Sequence, residues 1–300
     1  MIGSNDKRKI AVFANDAGGA NLILFFIIRK KIKNHSFFLK GPALKIFKKN
    51  IKKFQNKNIS NFNKSYDLIL TGTSWSSDFE KKALIKAKKL KINSITMLDH
   101  YINYRKRFTI NKKLILPDQI LVNDIFGKKI LQKTFKNYEG IKIIKNFYFL
   151  EIIKKFKSKK INKNNKRKIL YLTEPISKMA SRLYNKKNFF GFNEVSAFKN
   201  FLKQMNRFTN ISINVKIHPS ENQKKYKIYQ KISKNKVKFL KEGSVEKFIF
   251  KNDVVISCGS YALLIAKILK KKIICSAPKN SKYFQLPLNK ISYLENIKKL

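Results

Sequence analysis

The chain has 300 residues, is 43% hydrophobic and carries 25 Phe and 12 Tyr, which suits a folded protein with a sizeable core and excludes low-hydrophobicity disorder. Its formal net charge is +51 at pH 7, yet only seven of the 68 basic residues are Arg. A dedicated nucleic-acid reader draws on bidentate Arg forks, and these lysines are spread along the whole chain among many Asn and Ile, so no specific nucleic-acid partner is expected. The positive field favours anionic substrates and peripheral contact with the anionic inner face of a membrane.

The longest apolar run, Ala20–Ile28, has nine residues, against about 20 for a membrane span. MIGSNDKRKIAVFAND lacks the order of a signal peptide, so a cytoplasmic location is expected. Cys258 and Cys275 show neither metal-ligand spacing nor disulfide density and read as reduced packing residues.

In chain order, KIAVFA (9–14) is a strand, NDAGGAN a small-residue turn and LILFFIIRKKI a helix. SFFLKG and YDLILTG (66–72) are strands, the second running into the polar cluster TGTSWSS. Asp78 then caps a helix over FEKKALIKAKKL. INSITMLDH is a strand delivering Asp99 and His100, DQILVND precedes a helix from about Ile125, and KIIKN is a last strand.

Residues 157–168, KSKKINKNNKRK, read as a basic linker between an N-terminal domain (1–156) and a C-terminal domain (169–285), with a tail (286–300) that packs back or is exposed. After the linker come KILYLTEP, a helix around Glu194–Met205, SINVKIHP, a helix near Gln223–Ile232, KVKFL, a short helix near 245–250, DVVIS, a helix and KKIICSAP. Strand–helix alternation through both halves predicts an α/β protein with two Rossmann-like parallel-sheet domains facing a cleft.

The candidate site residues stand at strand ends, where open α/β sheets bind ligands. In DVVISCGSYALLIA (253–266), Ser257, Gly259 and Ser260 lie where a strand feeds a helix, an N-cap position that also suits a phosphate. His218, Pro219 and Ser220 end another strand. The ring can donate to a phosphate oxygen or hydroxyl; the alternative is an exposed loop His before a turn-forming Pro. Thr173, Glu174 and Ser177 follow the first strand of the second half, with Glu174 either a hydroxyl acceptor or a solvated acid.

In the first half, Asp16 is either the base for an incoming hydroxyl or the cap of the next helix, and Gly18 and Gly19 permit close approach to the backbone. Asp99 and His100 are the rival base pair, with Tyr104 and Arg105 on an acceptor-binding lip or an aromatic surface turn. Thr71, Thr73, Ser74 and Trp75 have the hydroxyl and stacking character of a sugar site, unless Trp75 is core. No G-x-G-x-x-G, Walker loop, Ser-His-Asp order, Cys/His metal set or Asp-x-Asp appears, so neither metal nor separate cofactor is expected.

This pattern resembles the GT-B type of glycosyltransferase, with acceptor in the first Rossmann-like domain and nucleotide-sugar donor in the second. More narrowly, His218-Pro219 followed by the Ser257…Ser260 turn is similar to bacterial capsule-type enzymes: polysialyltransferases, related sialyltransferases and CDP-glycerol glycerophosphotransferases. The acidic Asp/Glu-Asp/Glu-Gly motif of the sialyltransferases is absent unless Asn15-Asp16-Ala17-Gly18 is a degenerate form. The resemblance implies that His218, Ser257 and Ser260 contact the donor and that Asp16 is the general base. The expectation is a metal-independent inverting glycosyltransferase for surface glycan synthesis. It would use a CMP-, CDP- or UDP-linked sugar and a glycan or lipid-linked acceptor. A non-hydrolysing UDP-sugar 2-epimerase of the same architecture is the alternative, and a non-catalytic polyanion- or membrane-binding protein is a third.

Overall fold

The structure, a computed structural model, describes residues 2–3, 6–74, 77–159, 166–240, 243–288 and 290–300. It is α/β and divides into two compact units, Met1–Glu151 and Ile152–Leu300, each built on a six-stranded parallel sheet.

Unit 1 contains β1 (Ile10–Ala14), α1 (Ala17–Arg29), β2 (His35–Leu39), α2 (Gly41–Asn50), β3 (Leu68–Thr71), α3 (Phe79–Lys89) and β4 (Asn93–Met97). It continues with α4 (Tyr104–Arg107), the small hairpin β5 (Thr109–Ile110) and β6 (Lys113–Leu114), β7 (Gln119–Val122), α5 (Ile125–Thr134) and β8 (Ile141–Ile143). The spatial order β2-β1-β3-β4-β7-β8 puts a topological switch point between β1 and β3. Every residue of β1 is buried, as befits a strand covered on both faces. Phe13 stacks on Phe38 with centroids 4.6 Å apart and meets Phe62 edge-on at 5.2 Å. Each such ring contributes about 1.5–3 kcal/mol by leaving water.

The unit boundary falls within α6 (Phe147–Lys157). Unit 2 then contains β9 (Arg167–Leu172), α7 (Ile176–Tyr184), α8 (Glu194–Met205), β10 (Ile211–Lys216), α9 (Lys224–Lys227) and β11 (Val237–Phe239). It closes with α10 (Val245–Lys251), β12 (Val254–Ser257), α11 (Ala262–Ile268), β13 (Lys272–Cys275) and β14 (Ser292–Tyr293). The order β11-β10-β9-β12-β13-β14 places the switch point between β9 and β12. Tyr171 stacks on Phe201 at 4.3 Å, and α8 buries Phe198, Phe201 and Leu202 over the sheet.

Several local expectations change. Lys157 ends α6 and Arg167 and Lys168 pair within β9, so the ordered elements reach into both ends of the expected linker; 160–165 lie outside the described residues. The tail is part of unit 2: Ser292 and Tyr293 pair with β13, and Leu294 and Ile297 are buried in its core. The helix expected near Gln223–Ile232 is split into α9 and a 3-10 turn at Gln230–Ile232, with Tyr226 as its one fully buried anchor. Helix α7 was not anticipated, because its polar residues Ser177, Lys178, Ser181 and Arg182 mask a short apolar stripe of Ile176, Met179 and Ala180. Among the described residues no helix is long and apolar enough to cross a membrane.

Candidate functional site

Each unit gathers polar residues at its own switch point. In unit 1, β1 ends in Asn15 and Asp16. Asp16 occupies the N-cap position of α1 with extended backbone, but its carboxylate accepts no capping hydrogen bond from that helix, so the capping alternative is not realised. Instead the Asn15 side-chain amide donates to Asp16 Oδ1 at 2.7 Å, and reaches Ser74 Oγ, beyond β3, at 3.4 Å.

The glycines explain how these pieces fit. A methyl group on Gly18 would overlap the Asp99 carboxylate, and one on Gly19 would sit 3.1 Å from the Gly72 Cα. Only glycine lets α1 start this close to the ends of β3 and β4.

Asp99 is buried and faces that turn. Thr73 Oγ1 lies 3.3 Å from its Oδ1, and the Arg107 guanidinium 3.5 Å. Burial raises its pKa, offset by Arg107 and reinforced by the charge of Asp16. Arg107 is itself buried: it donates to Thr73 Oγ1 at 3.0 Å and to the Ile102 carbonyl at 3.1 Å. His100 is half-buried; its Nδ1 accepts the Tyr101 N–H at 2.9 Å, which puts the proton of the neutral ring on Nε2. Desolvation, then Arg107, hold its pKa well below the usual value.

Sequence reasoning missed Glu80. In the first turn of α3 an acid reads as a solvated complement to the helix dipole. Here it is 3% exposed, its Oε1 accepts the Asn15 N–H at 2.8 Å, and burial pushes its pKa up to about 8. The expected Asp78 cap of α3 is not made: Ser77 Oγ accepts the Phe79 N–H at 3.1 Å, while Asp78 pairs with Lys81 at 2.6 Å.

Other unit 1 candidates separate. Thr71 is fully buried and bonded to the Thr96 hydroxyl at 2.7 Å, so it links β3 to β4 inside the core. Tyr104 is buried in the core cluster and only Arg105 of that pair is exposed, which removes Tyr104 from the lip. Trp75 lies outside the described residues.

In unit 2, Glu174 follows β9 and spans the switch point. Its Oε1 accepts from Ser257 Oγ at 2.6 Å and from the Gly259 N–H at 2.8 Å, and its Oε2 accepts from the Tyr283 hydroxyl at 2.9 Å. Desolvation raises its pKa despite these donors. This corrects the expected phosphate seat: Ser257 is fully buried, its hydroxyl also near the Leu172 carbonyl at 3.1 Å, and Gly259 is committed to Glu174. Glu174 is accordingly no solvated loop acid. Ser260 is partly exposed, its Oγ 3.3 Å from the Ala262 nitrogen.

His218 is partly exposed just past β10, and the neighbouring strand end positions it. Its N–H donates to the buried Thr173 Oγ1 at 2.9 Å, and its Nδ1 accepts the Ser220 N–H at 3.2 Å with Ser220 Oγ at 2.9 Å. Nε2 of the neutral ring then carries the proton. Pro219 and Ser220 are exposed. Ser177 is not with this group: its N–H and hydroxyl both donate to Glu194 at 2.8 Å, an acid that also pairs with Lys225. Both cysteines are buried and free, and no cluster of three or more His, Cys, Asp or Glu positioned to hold a metal occurs among the described residues.

No protein-family model matches the sequence, and no curated protein matches it. Solved structures do match in fold. The Neisseria meningitidis UDP-GlcNAc 2-epimerase bound to UDP-GlcNAc is 13% identical with a TM-score of 0.64, over 89% of this chain and 82% of that one. S. aureus MnaA in a co-structure with UDP gives 12% and 0.62, over 91% and 80%. The spinosyn rhamnosyltransferase SpnG gives 7% and 0.53, over 89% and 80%. The fold is thus common to glycosyltransferases of the GT-B type and to UDP-GlcNAc 2-epimerases.

Proposed function

We propose that the protein is an enzyme acting on a nucleotide-activated sugar, and that its reaction is metal-independent inverting glycosyl transfer in surface glycan synthesis. The observation that carries this reading is Asp16: a carboxylate just past β1, at the switch point, that accepts the Asn15 amide and is backed by two buried acids. Asp16 removes the proton from the acceptor hydroxyl. That oxygen bonds to the anomeric carbon as the bond to the nucleotide's phosphate oxygen breaks, and the electron pair leaves with the phosphate. Unit 2 binds the nucleotide. Within unit 2, His218 Nε2–H and Ser260 are the donors assigned to a nucleotide phosphate, and the chain's Lys-rich field supplies positive charge. Asp99, pinned by Thr73 and Arg107 under Gly18, is a weaker candidate for the base than the sequence suggested. UDP in the two bacterial structures of like fold supports a UDP-linked donor.

A second reading has a specific observation behind it. Three carboxyls in unit 1, two of them with raised pKa, also form an acid–base set suited to a UDP-sugar 2-epimerase. Incubation with UDP-N-acetylglucosamine in deuterated water without acceptor separates the two. Deuterium at C2 of the sugar establishes epimerisation and overturns transfer. Acceptor-dependent release of nucleotide, abolished by Asp16→Asn and by His218→Ala, supports transfer.

A further inference from the structure

Glu80 takes no step in the transfer reaction above, yet it is the acid built most deeply into the switch point of unit 1. Its backbone belongs to the first turn of α3, and its side chain crosses to the end of β1, where Oε1 holds the Asn15 N–H at 2.8 Å. Its second oxygen, Oε2, is buried with no hydrogen-bond partner among the described residues. A carboxylate in that position would leave half its charge without a donor, in a region of low dielectric.

The charged groups facing it make ionisation harder. Asp16 and Asp99 both oppose a negative charge on Glu80. The nearby cations are engaged elsewhere: Arg107 lies on Asp99 and Thr73, and Lys81 pairs with Asp78 and donates to the Thr109 carbonyl. Lys40 stands over the Phe79 ring, 5.0 Å from its centroid. His100, beside Asp99, is kept neutral by burial and by Arg107. No cation is left to compensate Oε2 among these groups.

We propose that Glu80 is a positioning residue for Asp16: neutral, with its proton on Oε2, it anchors the Asn15–Asp16 turn and leaves the negative charge to Asp16. The inference rests on Asp16 being the base. It accounts for a feature that a capping or surface role does not, namely an acid buried against a backbone N–H one residue before the acting carboxylate. Above the point where Glu80 ionises, an uncompensated buried charge would loosen the turn, and turnover would fall.

Protein carrying glutamate labelled with 13C at the carboxyl carbon, compared with the same protein bearing Glu80→Gln, assigns and titrates the Glu80 resonance. The expected result is a midpoint near 8. In parallel, Glu80→Gln, which keeps the acceptor for Asn15, should hold kcat within roughly twofold at pH 7 and lose the fall in turnover above pH 8. Glu80→Ala should lower kcat about tenfold or more with little change in KM, since displacement of a reacting group costs rate without removing donor contacts. A Glu80 midpoint in the ordinary carboxylate range, or a Glu80→Gln enzyme as damaged as Glu80→Ala, overturns the proposal. If Asp16→Asn retains turnover, the base assignment fails on its own, while the titration still decides the protonation state of Glu80.

Discussion

The Glu174 carboxylate accepts the Ser257 hydroxyl at 2.6 Å, tying the end of β9 to the end of β12 across the point where the strand order of unit 2 reverses. In sheets of this topology that crevice is where ligands bind. The backbone donor that an entering phosphate would use, Gly259 N–H, is turned onto the same carboxylate. Glu174 therefore builds the crevice from within, and an anion has to be met by the groups beside it.

Replacing Glu174 by Ala removes one acceptor from three donors at once. All three donors are buried, and leaving them without an acceptor should cost about 1–3 kcal/mol. Glu174→Gln, which keeps an acceptor oxygen, should lose less. Urea denaturation followed by circular dichroism reads both, and an Ala variant as stable as wild type would remove the clamp from this account.

Gly18→Ala tests the packing of α1 on Asp99. The added methyl must push the carboxylate away from Thr73 and Arg107, at about 1–3 kcal/mol for an overpacked buried site. The same substitution at Gly19 meets backbone at Gly72, which cannot rotate aside, so it should cost at least as much. Thermal melts of the two variants against wild type decide the point; unchanged midpoints would mean that the close approach is not needed.

Stability should fall as pH rises from about 6.5 to about 8. Glu80, pushed up to about 8, and Asp99 and Glu174, also raised, hold protons in the folded state that the unfolded chain releases at ordinary carboxylate values. Their stabilisation is complete below the unfolded pKa and is lost on the way up to the folded one, at no more than about 1.4 kcal/mol per pH unit for each group. His100 and His35, both lowered by burial, act oppositely below about pH 6.5, where the unfolded chain's imidazoles take up protons, and Asp6 and Glu194, both lowered, act oppositely toward still more acid pH. Unfolding free energies at pH 6.5 and 8 should decline for wild type and decline less for Glu80→Gln. Parallel curves would refute the assignment.

Thr173→Val keeps shape but deletes the oxygen that accepts the His218 N–H. The expected outcome is a stability loss of about 1 kcal/mol and nucleotide binding weakened roughly fivefold, with Thr173→Ser close to wild type. Calorimetric titration with UDP and CDP measures this. Equal affinity in all three proteins would show that the loop does not depend on Thr173.

Much of this was legible before any coordinates. Short β-branched runs such as DVVIS and alternating INVKI announce strands, the intervening segments announce helices, and strict alternation leaves a parallel sheet in each half as the consistent arrangement. The grouping of Thr173, Glu174, His218 and Ser257 at strand ends followed from the same periodicity. What misled was reading hydroxyls and amides at those ends as vacant. Ser257 and Gly259 have the right chemistry for a phosphate, but a residue over eighty positions earlier in the chain already uses it. Glu80 was not singled out, because local sequence carries no information about which side of a helix a neighbouring strand end will cover.

By itself, then, the order of apolar and polar residues determined the two-unit α/β architecture, since backbone hydrogen bonding and burial leave few ways to satisfy such a pattern. Tertiary structure alone decided which polar groups face each other at the strand ends. Strand order brings Glu174 to Ser257 and Glu80 to Asn15, and the protonation of a buried acid depends on the donors and charges that meet it in space.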